Sequence, residues 1–182
     1  KMGPRFQMII GPLLVSIGMT LLIFPGIQTN YFVDFMPGLV LFGLGMALVI
    51  APLTKSALAV EHKYAGAASG VNNAVSRIAG LLAIALLGAI AIGVFSGQLS
   101  TSLSQSTLTI AQQKQILSKQ NKMGGIEIPS AFTRQAKQQT QTVIDSSFLY
   151  SFRVAMSINA LLAFLSALIA FFLIHNPKEK KS

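Results

Sequence analysis

Hydrophobic and polar positions fall in long blocks along this chain. Four runs contain no Asp, Glu, Lys or Arg: Phe6–Phe24, Phe35–Thr54, Ile78–Phe95 and Val154–Ile174. Each is about twenty residues long, the length an α-helix needs to cross the hydrocarbon of a bilayer. Ile78–Phe95 is built only from Ile, Ala, Gly, Leu, Val and Phe. As a helix it rises roughly 27 Å and has no polar face, whereas a helix in the core of a water-soluble protein keeps one. The pattern therefore predicts an all-α membrane protein with four transmembrane helices, over about residues 6–24, 35–54, 68–95 and 148–174. The first run is too long, and too close to the second, to read as a cleaved leader.

The stretch before Ile78 differs in kind. Ser69, Asn72, Asn73, Ser76 and Arg77 fall largely on one side of a helix that also holds Gly66, Gly70 and Gly80. Lipid offers such a face no hydrogen-bonding partner, so it should look at another helix or at water. Residues 96–147 form the one long polar segment, expected as a partly helical external loop. Leu108, Ile110, Ile116 and Leu117, with Gln112, Gln113 and Lys114 between them, suggest a short surface helix. Lys122-Met123-Gly124-Gly125 should break it. A second helix is expected from Ala131, capped by Ser130 and continuing into the last span. Disorder is the rival for this Gln- and Ser-rich segment.

Composition agrees with lipid as the solvent: 52% hydrophobic and 10% charged, against roughly 25% charged for an ordinary soluble domain. The net charge of +9 is accounted for by anionic phospholipid headgroups without invoking nucleic acid. With four spans both termini share a side. That side carries Lys1, Arg5, Lys55, Lys63, Lys178, Lys180 and Lys181, while Pro25–Asp34 carries no Lys or Arg. The positive-inside rule then makes both termini cytoplasmic, with Tyr31 and Phe32 suited to the opposite headgroup layer. The long loop pulls the other way through Lys114, Lys119, Lys122, Arg134 and Lys137, but long loops weigh little in this rule. The expected location is a bacterial cytoplasmic membrane.

Candidate chemistry is sparse. The chain has no Cys, which removes thiol catalysis and cysteine metal sites. No zinc, phosphate-loop or Ser/His/Asp pattern occurs, so neither an enzyme nor a cofactor is expected. His62 and His175 stand at span ends, where interfacial solvation is the plain reading. The acids Asp34, Glu61, Glu127, Asp145 and Glu179 all lie away from span centres, so no proton-carrying carboxylate sits at depth. Arg77 is the ionisable residue expected deepest, either snorkelling to the interface or bonding a neighbouring helix. Asn72, Asn73, Ser76 and Arg77 are the substrate or gating candidates, with interhelical bonding as the plainer role. Asn159 reads the same way. Gly38, Gly43, Gly45, Gly66, Gly70, Gly80, Gly88 and Gly93 suggest close helix contact, and Gly66/Gly70 fit small-xxx-small spacing.

The segment Gly38–Ile90 resembles the late transmembrane region of the major facilitator superfamily, in its fourteen-helix drug:proton antiporter branch. The resemblance is carried by a glycine-rich helix ending at Pro52, then Ala65-Gly66, Ala68-Ser69-Gly70, Asn72, Ser76-Arg77 and Ala79-Gly80. Met2-Gly3-Pro4-Arg5 is similar to the end of a cytoplasmic loop of that family, and 96–147 to its long external segment. The resemblance implies a C-terminal fragment of a proton-coupled exporter of amphipathic compounds. It would act with the missing N-terminal helices and would not transport alone. The family's embedded acids and antiporter signature have no counterpart; Gly43–Pro52 is not that signature. A non-transporting membrane scaffold or assembly partner is the alternative. A small oligomeric exporter comes third, since no span holds a central acid.

Overall fold

The computed structural model describes residues 4–27, 29–57 and 64–173, without the side chains of Pro4 and of 51–57. Lys1, Glu61, His62, Lys63, His175 and Lys178–Lys181 lie outside these, as do the side chains of Pro52 and Lys55. Every described element is helical: α1 (Pro4–Leu21), α2 (Met36–Ala57), α3 (Ala65–Ser104), α4 (Ile110–Leu117) and α5 (Arg134–Leu173), with a π turn at Tyr31–Phe35 and a 3-10 turn at Gln120–Gly125. Three helical stretches are long and apolar enough to cross a membrane: Tyr31–Ile50, Ala65–Ser104 and Arg134–Leu173. The first expected span forms α1, an apolar helix shorter than these. Among the described residues, three helices meet the length and apolarity of a span.

Both α3 and α5 run to 40 residues, roughly 60 Å each and twice a bilayer's hydrocarbon depth. Much of the expected loop is thus helix: α3 continues past Phe95 to Ser104, and α5 begins at Arg134. Its cap is Thr133, whose Oγ1 accepts from the Ala136 N–H at 3.3 Å, and not Ser130. The chain divides into two compact units, one of residues 1–25, 29–82 and 156–182, the other of 26–28 and 83–155.

In the first unit, α1 and α2 meet through paired glycines. A methyl group at Gly11 would stand 2.5 Å from Val49 Cγ2 and 3.0 Å from the Gly45 carbonyl oxygen; at Gly18 it would stand 2.7 Å from both the Gly38 oxygen and the Phe42 nitrogen. The reverse contacts are as tight, with Gly45 facing the Gly11 oxygen at 2.6 Å and Gly38 facing the Gly18 oxygen at 2.9 Å. The partners run antiparallel, Gly11 with Gly45 and Gly18 with Gly38. Each helix spaces its glycines by seven residues, nearly two turns, which keeps them on one line. On α1, Ser16 Oγ donates to the Ala160 carbonyl of α5 at 2.9 Å. The small side chains of Ala160, Ala167 and Ala170 are the buried ones on this half of α5.

The second unit has an apolar core of its own. Phe95, Leu99 and Leu103 form one stripe of α3 and cluster with Leu108, Ile116, Ile126, Phe132 and Ile144. The stripe of α5 facing inward is Thr140, Ile144, Ser147 and Ser151. Its hydroxyls donate to carbonyls of their own helix: Thr140 to Ala136 at 2.7 Å, Ser147 to Val143 at 2.7 Å and Ser151 to Phe148 at 2.9 Å. Burying them therefore leaves no polar group unsatisfied. Eight residues are too few for an isolated helix. α4 is held by burial of Ile116 and by a capping box, in which Thr109 Oγ1 accepts from Gln112 N–H at 3.3 Å and Gln112 Oε1 from Thr109 N–H at 3.0 Å. Met123 breaks the 3-10 turn with φ of 49°. Its side chain packs on the cluster, which opposes the backbone strain of a non-glycine residue in that region. Ordered packing, and not disorder, describes this segment.

Two matched pairs test these contacts in the detergent-solubilised chain. Gly18→Ala drives a methyl into backbone and should cost about 1–3 kcal/mol, whereas Gly43→Ala, which meets nothing within 4 Å, should be neutral or stabilising. On α4, Ile116→Ala should cost about 2–5 kcal/mol, and Ile110→Ala, 73% exposed, should stay within about 0.5 kcal/mol. Denaturant unfolding measures both.

Candidate functional site

Helical periodicity sorts the first half of α3 into two faces. Ser69, Asn72, Asn73, Ser76 and Arg77 share one with Gly66, Gly70 and Gly80; Val71, Val75, Ile78 and Leu82 take the other. Asn73, Ser76 and Arg77 are exposed and Asn72 half-buried. Arg77 is the only charged residue among the forty of α3. The four predicted site residues are thus gathered on two successive turns, with no other described element laid over them. The apolar face is equally bare: Val71, Val75, Ile78 and Leu82 are 57–63% exposed. A bulky apolar face suits lipid, and a face of glycines, amides and one guanidinium suits protein or water.

The glycines divide by place. Gly38 and Gly45 make the backbone contacts expected of them. At Gly43, Gly66, Gly70, Gly80, Gly88 and Gly93 a methyl would meet nothing within 4 Å among the described residues. Gly11 and Gly18 were not anticipated. Their seven-residue spacing, matched by Gly38 and Gly45, was the available signal.

Asp34 has a local task. Its Oδ2 accepts from the Asn30 N–H at 2.8 Å, while Asn30 Oδ1 accepts from the Phe32 N–H at 3.0 Å. This reciprocal bracket starts the π turn and leads into α2. Tyr31 meets Phe32 edge-on at 5.7 Å and stacks with Phe35 at 6.2 Å, so the turn presents aromatic rings and keeps its carboxylate occupied. A shallow pocket beside it is lined by Leu21, Phe24, Pro25, Thr29, Val33, Asp34 and Pro37. In the second unit another shallow pocket is lined by Thr107, Leu108, Gln112, Thr133, Gln135, Ala136 and Gln139. Its groups can hydrogen-bond but carry no charge. Among the described residues no three His, Asp or Glu side chains gather to hold a metal.

Arg5 also went unforeseen as a contact. Its Nη2 donates to the Phe171 carbonyl at 3.1 Å, and the guanidinium lies 5.8 Å from the Phe171 ring centroid. A carbonyl oxygen has a second lone pair to accept from such a donor, and an aromatic face attracts a guanidinium. Asn159 is half-buried on α5.

No protein-family model, curated protein or solved structure matches the chain.

The Asn30–Asp34 bracket predicts a graded response. Asp34→Ala should cost about 1 kcal/mol and speed amide exchange at Asn30. Asp34→Asn, which keeps an acceptor oxygen, should change exchange far less.

Proposed function

We propose that this chain is the C-terminal section of a proton-coupled membrane exporter of amphipathic compounds, with four spans and both termini in the cytoplasm. In this reading α1 is the fourth span: its 18 residues fall at the short end of the transmembrane range of about 17–25, and Pro4 and the Pro25 turn bracket it. Its antiparallel packing on α2 agrees with two successive crossings. The observation that carries the reading is α3, whose wholly apolar run Ile78–Phe95 follows a polar and glycine stretch that is exposed from Asn73 to Gly80 among the described residues. A polar and glycine face on such a helix calls for further protein or an aqueous path that the described residues do not supply. Asn72, Asn73 and Ser76 would line the cytoplasmic part of that path, Arg77 would tether the neighbouring helix beside it, and transport would need the helices of the other half.

The test is made in the intact transporter, encoded by the reading frame that contains this chain. In inverted membrane vesicles, Arg77→Ala should lower proton-driven dye efflux several-fold while protein level stays near that of the parent. Efflux equal to the parent's removes Arg77 as that tether. A reading frame without further spans, together with co-purification of a different membrane protein, turns the assignment to a scaffold.

A further inference from the structure

We infer that Arg77 is paired with a carboxylate on a membrane helix from outside this chain, lying along the Gly66–Gly80 face of α3; only the identity of that helix rests on the transport reading. The twelve residues Ala65–Ser76 that precede Arg77 in the helix carry no charge and span roughly 18 Å, and the wholly apolar run begins at Ile78. A guanidinium at the junction needs a counter-charge, because hydrocarbon neither solvates it nor accepts its protons.

Among the described residues, the acids are engaged or placed elsewhere. Asp34 is held by the Asn30 N–H. Asp145 Oδ1 accepts from Gln141 Nε2 at 2.7 Å. Glu127 lies beyond α4, while Glu61 and Glu179 lie outside the described residues. What surrounds Arg77 says which partner fits. Gly66, Gly70 and Gly80 have room where a methyl would touch nothing, so a second helix backbone can come close. Asn73, one turn before Arg77, offers an amide on the same line. The guanidinium fork binds a carboxylate through two parallel hydrogen bonds, and a neighbouring amide can take a remaining lone pair. A lipid phosphate would need no glycine clearance.

The full chain carrying Arg77→Lys, expressed in its host membrane, is treated with a hydrophobic carbodiimide. The reagent turns a carboxyl into an O-acylisourea; an amine in contact displaces the urea, forming an amide, and the water lost is carried by the urea. Mass spectrometry should find position 77 joined to an Asp or Glu in a membrane segment outside residues 1–182. If that segment belongs to a separate membrane protein, the carboxylate partner stands and the transport reading falls. Three results would overturn the inference. The first is a link to Asp34, Glu61, Glu127, Asp145 or Glu179. The second is acylation of the amine by a membrane-impermeant ester, which places it in water. The third is an amine inert to both reagents, which leaves lipid phosphate as its partner.

Discussion

The approach of two backbones at Gly11/Gly45 and Gly18/Gly38 is the contact on which the first unit depends. Helices in hydrocarbon gain little by hiding apolar side chains from one another, since lipid tails are just as apolar. What remains is dispersion, which grows steeply as surfaces close, and the freedom of carbonyl oxygens to lie against Cα atoms. Both need the side chain removed at the crossing points. The same economy of volume recurs on α5, where the buried residues beyond Ser151 are alanines and Ser16 reaches a backbone carbonyl directly.

The second unit follows the rule of folding in water. Large side chains, Phe95, Leu99, Leu103, Ile116 and Ile144, are fully buried, and no described glutamine or lysine is. The fully buried polar residues described there, Thr140, Ser147 and Ser151, are short hydroxyls satisfied by their own helix. The chain thus holds two kinds of interior, one made by leaving volume out and one made by filling it.

The helices themselves were legible in the sequence, because length and absence of charge alone identify a candidate span. Their ends were less so. Gln98, Ser100, Thr101 and Ser102 read as loop, yet they continue α3 because Leu99 and Leu103 complete the buried stripe. The core of the second unit was partly visible in Ile116 and Leu117, but Ile126 and Phe132 stand in irregular segments where no periodicity marks them. Ile110, expected among the apolar positions, points outward. Gly38 and Gly45 were found, and Gly11 and Gly18 were missed, because a contact between helices is legible only when both sequences are compared for matching spacing. The polar face of α3 was visible from periodicity alone. What covers it was not, because nothing in a helix's own sequence names its neighbour.

The seven-residue interval between glycines constrains length more than composition. One residue inserted between Gly11 and Gly18 would swing every position beyond it by about 100° around the helix axis, turning Gly18 aside and bringing Ile17 against the Gly38 backbone. Outward positions of α1 such as Phe6 and Ile17 are open to exchange among apolar residues, while a change of a single codon in number breaks the hairpin. Drift in this region should therefore run through replacement and seldom through gain or loss.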